Sequence, residues 1–204
     1  TFLLESAEHG GAWSRYSFIG VRSEATLSEK DGLAYWQGTA PAGAPTGIDP
    51  LEALRLSAAH LKSPKIPGLP PLTGGLVGFM GYDVVRRLER LPDLTTKDIP
   101  LPELSFMLTS DLAVLDHSDG TITLIANAIN WDGSDDRIDE AYESCVQRLD
   151  RMQADLSTPL SGEAAEIPDF SLPDYIGNIS GEQFKENILK VKEEILAGEA
   201  FQVV

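Results

Sequence analysis

The order of the predicted elements places this chain in the α+β class, with helices packed against antiparallel β-sheets. Short apolar and β-branched runs come in groups and do not alternate strictly with helices, which is typical of an α+β fold. Hydrophobic residues make up 42% of the 204 residues and charged residues 24%. This composition and length are sufficient for a globular protein with a sizeable core.

The first 40 residues are predicted to form four short strands. Gly, Ser and Glu residues separate apolar runs there, as expected for strands joined by turns. The predicted strands cover residues 2–4, 16–21, 25–28 and 33–37. A Gly- and Pro-containing loop over residues 41–47 ends this group.

The first helix is predicted to begin after Asp49. An Asp side chain is a favourable N-cap, and Pro50 at the first helical position lacks an N–H that would be unpaired there in any case. The spacing of the apolar residues predicts a buried stripe made of Leu51, Leu54, Ala58 and Leu61. The proline-rich residues 62–71 then form an irregular connector.

The glycine-rich stretch "GGLVGFMGYDVVRRLERLP", residues 74–92, is predicted to be an apolar strand followed by a short basic segment. Its glycines fit neither G-x-G-x-x-G nor the Walker spacing, so we interpret them as points where another backbone packs closely. We interpret the arginines of residues 86–90 as a solvated face. Further on, residues 104–116 and 121–127 are predicted to pair as one long hairpin.

A second helix is predicted to open at Ser134. Asp135 and Asp136 fall in its first turn, where the helix dipole favours negative charge. Steps of three and four predict an apolar face made of Ile138, Tyr142, Cys145, Leu149, Met152 and Leu156.

A third helix is predicted from the capping box formed by Ser180 and Gln183. Gly198 is expected to end it, and residues 201–204 are expected to begin a strand. The predicted apolar stripe of this helix consists of Phe184, Ile188, Val191 and Ile195.

The pattern divides the chain into three predicted parts. Residues 1–156 form an N-terminal domain, residues 157–174 a polar linker, and residues 175–204 the start of a further region. The chain begins without Met on an apolar run and ends on β-branched residues with no turn residue after them. We therefore expect it to be part of a longer polypeptide.

Charge and cysteine content exclude several classes of function. Acidic residues outnumber basic ones 32 to 16, for a net charge of −16, which disfavours binding to nucleic acids and anionic membrane surfaces. The single cysteine, Cys145, cannot form an intrachain disulfide and suits a reducing compartment such as the cytoplasm. No apolar run approaches the roughly 18 residues of a membrane span.

We expect no metal site within the chain. His9, His60 and His117 lack the spacing of metal ligands and are interpreted as surface or hydrogen-bonded residues. The stretch "NAINWDGSDD" resembles a calcium loop. However, Ala128 stands where the first carboxylate ligand is required, so we reject that interpretation.

Four stretches in this order resemble component I of anthranilate synthase, a family of chorismate-using enzymes. They are "LLES" at 3–6, "WSRYSFIG" at 13–20, the glycine-rich stretch at 74–92, and "GEAFQVV" at 198–204. The resemblance covers essentially the whole chain. It implies that residues 1–156 are a regulatory and structural domain and that residues 175–204 begin the chorismate-binding region.

The resemblance implies an activity for the full-length protein. Members of the family convert chorismate and ammonia to anthranilate and pyruvate in tryptophan biosynthesis, with feedback inhibition by L-tryptophan. They take the ammonia from a glutamine amidotransferase subunit, component II, and use Mg²⁺. The magnesium and chorismate ligands are expected beyond Val204, so this chain alone is expected to be inactive. The alternatives are aminodeoxychorismate synthase component I and a non-catalytic amino-acid-binding module.

The resemblance also implies two sites. Leu4, Glu5 and Ser6 match the tryptophan pocket, where a Ser hydroxyl can donate and accept hydrogen bonds and Glu5 can pair with an ammonium group. The alternative is that Leu3 and Leu4 form a plain core strand, with Glu5 and Ser6 at its exposed end. Gln202 matches a position where relatives that hydrate chorismate carry a Lys that activates water. A Gln amide cannot act as that base, which favours amination. The alternative is an ordinary strand amide.

Overall fold

The computed structural model describes residues 1–5, 15–94, 96, 99–131, 133–159, 162, 171 and 174–204. The chain forms two compact units, Thr1–Pro159 and Leu160–Val204. The strands are β1 (Phe2–Leu4), β2 (Tyr16–Arg22), β3 (Ala25–Lys30), β4 (Leu33–Gly38), β5 (Gly75–Met80), β6 (Leu104–Thr109), β7 (Asp111–Asp116) and β8 (Thr121–Ala126). The helices are α1 (Pro50–His60), α2 (Ile138–Ser157), α3 (Gly181–Ala197) and a 3-10 helix, Tyr82–Arg87. The predicted α+β class is confirmed.

The first sheet has the strand order β1-β2-β7-β8, and every neighbouring pair is antiparallel. Phe2 of the edge strand β1 lies opposite Gly20 of β2. A Cβ atom at Gly20 would come within 2.1 Å of the Phe2 ring, so a glycine is required for the ring to lie over the β2 backbone. This contact fixes β1 against β2.

The second sheet has the strand order β4-β3-β6-β5 and is also antiparallel. Gly78 of β5 lies opposite Phe106 of β6. A Cβ atom at Gly78 would come within 1.9 Å of the Ser105 carbonyl oxygen. The predicted close packing of another backbone on this glycine-rich strand is therefore confirmed at Gly78.

Residues 104–116 do not form one long strand, so that prediction was wrong. β6 ends at Thr109 and joins the second sheet, whereas β7 begins at Asp111 and joins the first. At the change of sheet, the Asn127 backbone N–H and side-chain amide both donate to the Ser110 carbonyl, at 2.9 and 3.0 Å. These bonds satisfy a carbonyl that belongs to neither ladder. The hairpin of β7 and β8 is as predicted.

The helix α1 packs on the second sheet through small residues. Leu27, Ala34, Ala53 and Leu104 form the buried cluster there. The buried residues of α1 are Pro50, Ala53 and Ser57, and not the predicted stripe of Leu51, Leu54, Ala58 and Leu61. Ser57 is tolerated at the contact because its hydroxyl donates to the Ala53 carbonyl at 2.7 Å. Of the predicted stripe, Leu54 is half-buried and packs against this cluster, but no member of the stripe is fully buried, because the small residues make the closest contact with the sheet.

The helix α2 begins at Ile138, four residues after the predicted start. The Ser134 hydroxyl accepts a hydrogen bond from the Asp136 N–H, at 3.1 Å, in the turn that precedes the helix. Of the predicted apolar face, Cys145 and Met152 are buried, whereas Ile138, Tyr142 and Leu156 are exposed.

The second unit contains the helix α3. The Ser180 hydroxyl caps it by accepting from the Gln183 N–H at 3.2 Å, and Gly198 ends it at a φ of 86°, both as predicted. Residues 201–204 form no strand within the described residues of this unit, so that prediction was wrong. A strand needs a neighbouring backbone to bond with, and the described part of this unit supplies none.

Candidate functional site

One end of the first sheet brings together three polar side chains from different elements. Glu5 directly follows β1, Ser17 is the second residue of β2, and His117 directly follows β7. The Ser17 Oγ lies 3.1 Å from Glu5 Oε1 and 2.8 Å from His117 Nε2. Ser17 is only 3% exposed, whereas Glu5 and His117 reach the surface. The buried hydroxyl thus connects two exposed, ionisable groups.

An ion pair next to this cluster fixes the position of His117. The Arg15 guanidinium binds Asp116 through Nε and Nη2, at 2.7 to 3.1 Å, and lies 4.9 Å from the centre of the Tyr16 ring. The hydrogen bond from Arg15 holds the pKa of Asp116 well below its usual range. The His117 N–H also donates to the Arg15 carbonyl at 2.7 Å. The turn that carries His117 is therefore attached to β2.

The predicted site residues lie in different parts of the chain. Leu4 is 43% exposed at the end of the edge strand and lies next to Glu5. Ser6 lies outside the described residues. Gln202 is exposed in the second unit.

Ser17 and His117 were not predicted as site residues. A buried serine in a strand is a weak sequence signal, and His117 lies 100 residues away from it in the chain. The pairing of β2 with β7 brings them together. It sets Tyr16 opposite Asp116, and Ser17 and His117 directly follow these two residues in the sequence.

Two cavities lie elsewhere in the first unit. One, of about 210 Å³, is lined by residues that include Lys62, Thr109 and Asn127. The other, of about 870 Å³, lies along α2 and is lined by residues that include Tyr142 and Cys145. Neither of these two cavities is lined by Leu4, Glu5 or Gln202.

Within the described ranges, no three His, Cys, Asp or Glu side chains converge as a metal ion requires. The described part of the chain therefore does not fit a magnesium ion. Among the same residues, no helix combines the length and the apolar character that crossing a bilayer demands.

Comparison with known proteins gives consistent matches. The chain is 52% identical over 204 residues to anthranilate synthase component 1 of Mycolicibacterium smegmatis, and 48% identical over 209 residues to that of Mycobacterium tuberculosis. Both matches cover the whole chain but only 39% and 40% of those proteins. The chain thus spans about two fifths of the length of these relatives.

The fold also matches a solved structure. The crystal structure of anthranilate synthase component I from Streptococcus pneumoniae superimposes with a TM-score of 0.67 at 21% identity. The match covers 97% of this chain and 41% of that one, and it shows a shared fold. The sequence profile of the family described as "chorismate binding enzyme" matches residues 2–204. The chain therefore belongs to the chorismate binding enzyme family.

Proposed function

We propose that this chain is the N-terminal part of component I of an anthranilate synthase. The full-length enzyme would convert chorismate and ammonia to anthranilate and pyruvate in the biosynthesis of tryptophan. The observation that carries this proposal is the 52% identity, over the whole chain, to a protein named anthranilate synthase component 1. No observation on this chain favours aminodeoxychorismate synthase or a free-standing binding module.

The chemistry is assigned to parts of the relatives' length that this chain does not span. The described residues contain no cluster suited to Mg²⁺, which would bind the substrate and offset its negative charge. We assign the magnesium and chorismate ligands to those other parts. A glutamine amidotransferase subunit would supply ammonia, and the enzyme would work in the cytoplasm.

The test is an assay of the full-length enzyme with chorismate, Mg²⁺ and ammonium. We expect fluorescent anthranilate and pyruvate in equal amounts. A product that keeps the enolpyruvyl group, with no pyruvate released, would instead identify an aminodeoxychorismate synthase. Adding the amidotransferase subunit should allow glutamine to replace ammonium.

Within this enzyme, we assign residues Leu4, Glu5 and Ser6 to a feedback site for L-tryptophan. Glu5 supports this role because its carboxylate lies at the surface and is held by the buried Ser17 hydroxyl. Leu3 and Leu4 are both exposed beside it and offer apolar surface to an indole ring. The alternative is a plain core strand with Glu5 and Ser6 at its exposed end. The test is inhibition of the full-length enzyme by L-tryptophan.

Gln202 is assigned to the chorismate-binding region, with its side chain near ring carbon C2. The support is chemical: an amide side chain has no basic group with which to activate water, which suits a site that uses ammonia.

A further inference from the structure

We propose that Ser17 and His117 are positioning residues that orient the Glu5 carboxylate toward the ammonium group of the amino-acid effector. The inference rests on the proposed feedback site and adds to it the part of the structure that prepares Glu5 for binding. The observation that carries it is the continuous contact from His117 through the buried Ser17 hydroxyl to Glu5.

The chemistry of the three groups fixes the direction of both hydrogen bonds. An ionised carboxylate can only accept, so the Ser17 hydroxyl donates its single proton to Glu5 Oε1. That proton is then unavailable to His117. The His117 Nε2 must therefore carry a proton and donate it to the Ser17 Oγ. The chain of donors runs from His117 to Ser17 to Glu5.

In the part of the chain that the structure describes, this chain of donors leaves the other Glu5 oxygen available. Within the described residues, Glu5 Oε2 accepts no hydrogen bond, while Oε1 is held by Ser17. A carboxylate anchored through one oxygen presents the second in a fixed direction. Because the side chain is already ordered before the ligand arrives, binding costs less conformational entropy. An ammonium group, which only donates, is the matching ligand.

Among the residues that the structure describes, no Lys or Arg side chain forms an ion pair with Glu5. Arg15 lies on the same strand end as Ser17, and within the described residues its side-chain hydrogen bonds all go to Asp116. The Arg15 charge is therefore paired with Asp116 and not with Glu5. A cationic group on the ligand would complete the pair.

The test uses the full-length enzyme and two ligands, L-tryptophan and indole-3-propionate, which keeps the indole and carboxylate but lacks the ammonium group. We expect Ser17→Ala and His117→Ala each to weaken L-tryptophan binding about tenfold, as for loss of a hydrogen bond to a charged group. Binding of indole-3-propionate should change less than about twofold. His117→Gln, whose amide can donate to Ser17, should restore most of the L-tryptophan affinity.

Matched controls come from the second sheet and from α1. Ser28 is also buried, at 2% exposure, and bonds to the Leu104 carbonyl far from Glu5. His60 is exposed at the end of α1. Ser28→Ala and His60→Ala should leave the binding of both ligands unchanged. Equal weakening of both ligands by Ser17→Ala and His117→Ala would mean a general disturbance of the fold and would overturn the inference.

A double-mutant cycle gives an independent measurement. In a Glu5→Gln background, His117→Ala should weaken L-tryptophan binding by less than about twofold, because its effect passes through the carboxylate. A full tenfold effect in that background would overturn the inference while leaving the feedback site intact. An active wild-type enzyme that binds no L-tryptophan would overturn the feedback site, and this inference with it.

Discussion

Ser6 is the residue at which the feedback proposal is most directly tested. We expect Ser6→Phe in the full-length enzyme to raise the inhibitory concentration of L-tryptophan about tenfold or more, which corresponds to about 1.4 kcal/mol of binding free energy. The added ring would occupy ligand space, and a hydrogen-bonding hydroxyl would be lost. The measurement is the tryptophan concentration that halves each enzyme's own activity, with the melting temperature recorded on the same samples.

Two other results would contradict this assignment. An unchanged inhibition curve in a stable variant would indicate an exposed strand end without a ligand. A fall in melting temperature together with loss of activity would indicate a packed position that a ring overfills.

Gln202 gives a second test, this time of the chemistry. Gln202→Lys in the full-length enzyme places an amine near C2, and desolvation can lower its pKa enough for it to act as a base toward water. We expect less anthranilate and some hydroxylated product, both measured by chromatography of the reaction mixture. Normal turnover with ammonia and no hydroxylated product would show that the side chain does not face the substrate.

The N-terminus of α1 provides a test of how Asp49 stabilises this helix. Asp49 Oδ1 accepts from the Glu52 N–H at 3.0 Å, and Oδ2 binds Arg87 Nη1 at 2.6 Å. Asp49→Ala should reduce the free energy of unfolding by about 1 kcal/mol, whereas Asp49→Asn keeps the cap and should cost less. Asp150→Ala, at an exposed position on α2, serves as the control. Urea unfolding of the full-length protein, followed by circular dichroism, measures the differences.

The pH dependence of this effect follows from the pKa of Asp49. The hydrogen bond from the Glu52 N–H, with Arg87 adding to it, lowers that pKa below its ordinary value. The charged form therefore stabilises the folded state. Its contribution is present above the ordinary pKa of about 3.9 and is lost as the pH falls through the lowered folded value. We expect the difference between wild type and Asp49→Asn to be larger at pH 7 than at pH 3, and an equal difference would contradict the assignment.

The ends of two helices could be predicted from the sequence because they depend on residues that are close together in the chain. The caps of α1 and α3 follow from Asp49, Ser180 and Gly198, whose side chains or backbone conformations act within a few residues. The break at Ser110 was missed because an apolar run looks the same whether its strand stays in one sheet or changes to another. That choice depends on Asn127, which is distant in the sequence.

The proposed site at Glu5 could be predicted only in part, because some of its contacts join residues that are distant in the sequence. Glu5 was proposed as a site residue from its motif, whereas its contact with Ser17 and His117 depends on strand pairing across 100 residues. The motif could therefore suggest the residue, but only the topology shows which groups contact it.

The whole molecule gives the broadest prediction. The isolated 204-residue chain should produce no anthranilate from chorismate, Mg²⁺ and ammonium, because no suitable metal cluster is found among its described residues. The full-length enzyme at the same concentration is the positive control, and fluorescence of the product is the measurement. Anthranilate formed by the isolated chain would show that the active site has been placed in the wrong part of the protein.

The change of sheet at Ser110 has a consequence for how the protein is made. Among the described strands, β7 lies between β2 and β8 in the first sheet, and β6 lies between β3 and β5 in the second. Both sheets therefore need residues 104–116 to be complete. On the ribosome, neither sheet can close until this segment emerges, and before that point the described residues that precede it can form only the strand pairs and the helix that local contacts allow. Such dependence on distant contacts slows folding and prolongs the exposure of β-strands to aggregation. A nascent chain stalled before residue 104 should therefore remain open to protease, and one stalled well after residue 127 should become resistant.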